Sequence, residues 1–169
     1  MDVGTFLEVD GRPAVRFVRT YRCPVDEVWS AITDPDRLGR WFPSSVTIEL
    51  RVGGAVSFSG DPNVGPGTGR VLAVAPPRQL AFSWGGDELR FDVEPLDGST
   101  QLTFTDVLEE QNVAARNAAG WTVCLDELGR LLSGEDTDGP HSVANTARFQ
   151  PLYEAHIAAG VPFGADLPG

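Results

Sequence analysis

The sequence predicts one α+β domain: a curved antiparallel sheet of about six to seven strands, two short helices after the first main strand, and a long C-terminal helix over the sheet that encloses a cavity. Three observations carry this. Apolar runs of period two recur between residues 45 and 106, separated by Gly, Pro and Asp-Gly turn signals. The period changes to 3.6 from 113 to 132. At 169 residues the chain has length for one substantial core, not for two ordinary domains and a linker. Residues 1–133 are read as the body of the domain, and 134–169 as a loop and short helix packing on it.

Taking the elements in order, "TFLEV" and "RPAVRFVRTY" flank Asp10-Gly11, a dipeptide suited to the positive φ angles of a type I′ turn, and are predicted to pair as a hairpin. Val15, Phe17 and Tyr21 share the inner face of its second arm, with Arg19 interrupting it. In "PVDEVWSAITDPDRLGRWFP", Val25, Val28, Trp29 and Ile32 form a helical stripe, with Pro24 at the first helical position and Asp26 and Glu27 where the helix dipole favours anions. Asp34-Pro35 repeats the start signal for a second helix, which Pro43 is expected to stop. The two are read as a wedge that props the long helix away from the sheet.

Six strand signals follow. Val46, Ile48 and Leu50 align, then Val56 and Phe58; "GPGTG" reads as a flexible loop before "RVLAVA". After Pro76-Pro77 come Leu80, Phe82 and Trp84, then Leu89, Phe91 and Val93, then Leu102, Phe104 and Asp106. The facing alternates as in a meander with one wet side. On the long helix Ala114, Asn117, Ala118, Trp121, Cys124, Leu125, Leu128 and Leu132 share one face; Arg116, Thr122, Asp126, Glu127 and Arg130 share the other. "GEDTDGPHSVANT" reads as a polar loop and "RFQPLYEAHIAAGVP" as a last short helix ended by Gly160.

Composition narrows the partners. With 24 acidic against 13 basic side chains the net charge is −11, and the averaged field repels phosphate backbones and anionic surfaces, which argues against nucleic acid. No apolar run approaches the roughly 20 residues that cross a bilayer, so membrane insertion is not expected. Cys23 and Cys124 lack ligand spacing, and the N-terminal stretch lacks a signal-peptide pattern; a reducing cytoplasm is the expected location.

The order "DGRPAVRFVRTYRCPVDEVWSAITDPDRLGRWFP", "LRVGGAVSF", "GTGRVLAVAPPRQLAFSW", "LTFTD" and "AAGWTVCLDELGRLL" resembles the activator of heat-shock-protein-90 ATPase homologue-like family, within the START-like, SRPBCC (polyketide cyclase) helix-grip superfamily. The resemblance spans roughly residues 10–133. It implies a hydrophobic cavity beneath the long helix and no single reaction, because carriers, sensors, cyclases, hydrolases and chaperone accessories share the scaffold. Many relatives carry a histidine where this chain has Asp106.

Asp106 is the candidate catalytic residue, because strand parity directs it toward the covered face, where desolvation raises a carboxyl pKa toward the range of a general base. Tyr21 and Thr105 are candidate hydroxyl donors beside it. Trp29, Trp41, Phe42, Phe58, Phe82, Trp84, Phe91, Phe104, Trp121 and Leu125 are the candidate ligand-binding wall. Gly65, Gly67 and Gly69 lack the Lys-Ser/Thr of a phosphate loop and read as a hairpin loop. His141 and His156 have no third ligand at metal spacing and read as surface residues, so neither metal nor cofactor is expected. The expected partner is a small hydrophobic molecule, with a cyclase or dehydratase activity as the alternative; a chaperone and a second copy of the chain are the candidate protein partners.

Overall fold

Asp10 and Gly11 both take positive φ, 51° and 77°, and turn β1 (Thr5–Val9) into β2 (Arg12–Tyr21) as the dipeptide predicts. In the computed structural model, which describes residues 3–168, six further strands follow: β3 (Ser45–Ile48), β4 (Ala55–Ser59), β5 (Gly67–Ala75), β6 (Gln79–Trp84), β7 (Asp87–Leu96) and β8 (Ser99–Val107). All pair antiparallel in one 8-stranded sheet of order β1-β2-β8-β7-β6-β5-β4-β3. The count is slightly higher than six to seven because both hairpin arms and all six runs that follow become strands of the one sheet.

Register places the apolar residues in rows across the inner face. Phe17 lies opposite Phe104, which lies opposite Phe91, which lies opposite Leu80. The next row runs Val15, Asp106, Leu89 and Phe82. One carboxylate therefore stands in a line of hydrocarbon, as its parity predicts.

α1 (Val25–Thr33) and α2 (Pro35–Leu38) sit between β2 and β3. Pro24 is the N-cap of α1, one position earlier than predicted, and offers no side-chain cap. Asp34 does cap α2, its carboxylate accepting from the Asp36 amide at 2.9 Å. The second helix ends at Leu38, before Pro43: the amides of Trp41 and Phe42 both bond the Leu38 carbonyl, and this turn directs the two rings into the core. Trp41 Nε1 donates to the Ala31 carbonyl at 2.8 Å, which ties the turn to α1. Val28, Ala31, Ile32, Leu38 and Trp41 are all fully buried.

Two strand readings need correction. Leu50 lies past the end of β3 and is exposed, because the chain turns at 51–54. β5 begins at Gly67, so the last three residues of "GPGTG" are strand and not loop. Gly69 is required there by contact: a Cβ on it would stand 1.9 Å from the Ser83 carbonyl oxygen of β6.

α3 (Ala114–Leu132) follows a 3-10 turn at Gln111–Val113 and lies across the sheet. Its opposite face is not wet as predicted. α4 (Val143–Ala158) packs on it, leaving Thr122 and Glu127 buried. α4 is longer than the expected short helix because Ser142 caps its first turn by accepting from the Asn145 amide at 3.2 Å, within the stretch read as a polar loop. The Glu127 carboxylate is satisfied by the amides of Asp138 and Gly139 at 2.8 and 3.0 Å and by Asn145 Nδ2 at 3.1 Å, which fixes the connecting loop on α3.

His156 is likewise buried instead of on the surface. Its Nε2 accepts from the Gly4 amide at 2.8 Å, so its Nδ1 carries the proton and donates to the Leu152 carbonyl at 2.8 Å. One imidazole thereby joins the chain's first strand region to its last helix. His141 is the exposed histidine, within 2.8 Å of the Pro43 carbonyl.

Candidate functional site

Between α3 and the sheet the large rings meet as a continuous cluster. Trp121, from α3, stands edge-on to Phe104 with centroids 4.7 Å apart; Phe104 contacts Phe91 at 4.9 Å and Phe91 contacts Phe82 at 5.8 Å. Phe42 reaches Trp84 at 5.2 Å, Trp121 at 5.4 Å and Trp41 at 5.6 Å, and Phe58 stacks on Trp84 at 5.0 Å. Leu125 is buried one turn beyond Trp121. These rings line the interval in which the cavity is expected, turned inward by the wedge and by strand parity.

Trp29 is the exception among the predicted wall residues. It is half-buried at the margin of the core, and among the described residues it makes no ring contact with the cluster. Trp84 is also only partly buried, which puts one ring of the cluster at its outer margin.

Asp106 sits beneath Trp121. Its side chain is fully enclosed, and its Oδ2 accepts from Trp121 Nε1 at 2.9 Å and from Asn117 Nδ2 at 3.3 Å. Oδ1 has no hydrogen-bond donor among the described residues. The same Asn117 amide lies 3.4 Å from Asp87 Oδ2, and the Glu109 amide donates to Asp87 Oδ1 at 3.0 Å. Burial, and then the charge of Asp87 beside it, push the Asp106 carboxyl well above the ordinary carboxylate range; the Trp121 and Asn117 bonds offset part of this.

Above this group opens a cleft of about 520 Å³ lined by Asp87, Glu109, Glu110, Arg116, Asn117 and Asp166, among others. Arg116 donates from Nε to Asn117 Oδ1 at 3.2 Å and from a terminal nitrogen to the Asp166 carbonyl at 3.2 Å, closing one side. The cleft is polar, and it adjoins the ring cluster through Asn117 and Trp121, one helical turn apart on α3.

The hydroxyls expected beside Asp106 are elsewhere. Tyr21 pairs with Thr100 at the far end of β2, whereas Asp106 pairs with Val15. Thr105 is directed to the opposite sheet face by alternation, where its Oγ1 accepts from Arg16 Nε at 3.0 Å. Asp87 and Asn117 were absent from the predicted site although both left a signal. Asp87 shares the parity of Leu89 and Phe91, and Asn117 is an amide on an otherwise apolar helix face.

Among the described residues no three His, Cys, Asp or Glu side chains are placed to hold a metal, and no helix is long and apolar enough to cross a membrane. Cys23 and Cys124 are unpaired; burial pushes the Cys124 thiol up, away from a reactive thiolate.

Comparison with known proteins matches residues 22–133 to the family model described as Activator of Hsp90 ATPase homolog 1-like protein. Among solved structures, CalU16 from Micromonospora echinospora superposes with a TM-score of 0.72 at 27% identity, over 94% of this chain and 96% of that one. DynU16, from the dynemicin biosynthetic locus, gives 0.63 at 26% identity over 75% of this chain and 50% of that one. The Aha1 dimer from Colwellia psychrerythraea gives 0.61 at 21% identity, over 70% and 95%, and shares the fold. No curated protein sequence matches the chain.

Proposed function

The chain belongs to the Activator of Hsp90 ATPase homolog 1-like family, in the START-like helix-grip superfamily, and from that premise we propose that it binds a small hydrophobic or aromatic molecule between α3 and the sheet. The observation that carries this reading is Asp106 Oδ1: an enclosed carboxyl oxygen without a donor among the described residues, set in a wall of aromatic rings and next to a cleft. A buried acceptor left unsatisfied costs about 1–3 kcal/mol, and a ligand hydroxyl or amine entering from the cleft would satisfy it. Its apolar body packs against the rings of the wall, reached past Trp84 at their outer margin. Likeness to DynU16, a protein of the dynemicin biosynthetic locus, supports a small-molecule setting for the same scaffold.

Native mass spectrometry of the purified protein and melting shifts against a panel of flat aromatic compounds test this. Retention of an apolar compound, or a rise in Tm with hydroxyl-bearing aromatics that Asp106→Asn weakens, is the expected result. No retained compound and no shift across the panel would remove the reading.

The perturbed Asp106 carboxyl favours a second reading, a cyclase or dehydratase in which it is the acid or base. Asp106→Asn then abolishes turnover without lowering Tm. The family description supports a third, a chaperone accessory docking through the acidic surface; its binding weakens steeply with salt. The unpaired cysteines support a reducing, cytoplasmic setting.

A further inference from the structure

Asp106 and Asp87 reach the same amide from two different strands. Asn117 Nδ2 is 3.3 Å from Asp106 Oδ2 and 3.4 Å from Asp87 Oδ2. Two carboxylates converging on one amide inside a largely apolar wall do not both ionise at modest cost. The distribution of donors selects which one stays neutral. Asp87 is only half-buried, takes the Glu109 amide on its other oxygen, and borders the cleft. Asp106 is enclosed and its Oδ1 has no donor among the described residues; a proton on the carboxyl makes it a donor, and the Asp87 carboxylate, in hydrogen-bonding reach of Asp106, is the acceptor at hand.

We propose that Asp87 and Asp106 form a proton-sharing carboxyl pair, bridged by Asn117, which presents one acid and one carboxylate to a neutral or cationic ligand at the cleft. The ligand half of this rests on the small-molecule reading above; the shared proton does not. The other charged groups around the pair agree with it. Glu109 and Glu110 on the loop after β8, and Asp166 in the C-terminal segment, line the same cleft and disfavour a second negative charge. Arg116 is the cation of the lining, and it is engaged with Asn117 and the Asp166 carbonyl. Glu88, adjacent in sequence, is paired with Arg90. With four carboxylates and one guanidinium in the lining, an anionic ligand is repelled.

The test is a carbon-13 carboxyl NMR titration of aspartate-labelled protein. In the unaltered chain the Asp106 resonance should titrate above the ordinary value of about 3.9, with an inflection of the Asp87 resonance at the same pH, the signature of coupled groups. In Asp87→Asn the Asp106 midpoint should fall by about one pH unit or more. Independent single-step curves for the two groups, or an Asp106 midpoint unmoved in Asp87→Asn, would overturn the shared proton; the first readout needs no variant to fold. The ligand half is read at neutral pH with 1-naphthol, 1-naphthylmethylamine and 1-naphthoate. The alcohol and amine should bind, and the carboxylate at least about tenfold more weakly. Equal binding of naphthoate overturns the selectivity while leaving small-molecule binding intact, and binding by none of the three overturns both.

Discussion

Asp106 is held against its own solvation, and its effect on stability has a definite sign. Its folded pKa is raised above the unfolded value, so between those two values the folded state holds the extra proton and stability falls as pH rises. The penalty is complete above the folded pKa, and each pH unit that separates the two values is worth about 1.4 kcal/mol. Asp106→Asn keeps an acceptor for Trp121 and removes the charge, so at neutral pH it should raise Tm, and below about pH 4 it should change it little. Thermal melts at both pH values check this; a variant destabilised equally at both would show that the carboxyl serves packing alone. His156 has the opposite sense. Burial lowers its pKa, so its contribution is present above its unfolded value of about 6.5 and is lost as pH falls through the lower folded value. His156→Phe leaves the Gly4 amide without its acceptor and should lower Tm at pH 8, while flattening the decline between pH 7 and 5 expected of the unaltered chain. Amide exchange at Gly4 should quicken in parallel.

At the scale of elements, the two short helices act through the turn that follows them. Trp41 is fully buried, holds the Ala31 carbonyl, and lies edge-on to both Phe42 and Phe91. Trp41→Ala removes the ring and orphans a carbonyl, so it should cost about 3–5 kcal/mol in denaturant unfolding; a cost below about 1 kcal/mol would show that the wedge does not carry the core. Asp34→Ala, which removes only a cap at an exposed site, should cost about 1 kcal/mol. These elements also show what was legible in the sequence. The hairpin, the Asp34 cap and the rows of Phe17, Phe91 and Phe104 follow from local chemistry: turn residues, cap residues and alternation. The covering of Thr122 and Glu127 does not, because a face reads as wet until the element that lands on it is known. Likewise Asp106 was visible through parity, whereas Asp87 and Asn117 gain meaning only when β7, β8 and α3 are brought together.

At the scale of the whole molecule, α4 and its loop make α3 a buried element, enclosed by the sheet on one side and by α4 on the other. We propose that residues 134–169 belong to the same folding unit as 1–133. Removing them exposes Thr122 and Glu127, takes away the Asp138, Gly139 and Asn145 donors of Glu127 while leaving it Arg130, and frees the Gly4 amide. A chain ending at Leu132 should melt well below the full chain or aggregate, while retaining far-ultraviolet dichroism of sheet; an unchanged melt would show that the tail is an independent appendage. Sedimentation of the full chain separates a monomer from the homodimer considered among its partners.

The pairing of β2 with β8 bears on how the protein is made. These two neighbours, one strand in from the β1 edge of the sheet, are far apart in the chain, with β3 to β7 synthesised between them. On the ribosome the nascent chain therefore cannot join its first hairpin to the rest of the sheet until β8 has emerged, and α3 and α4 emerge later still. During that delay Phe17, Phe91 and Phe104 are bare, which makes translation speed and chaperone supply, more than final stability, the determinants of how much of this protein a cell recovers in soluble form.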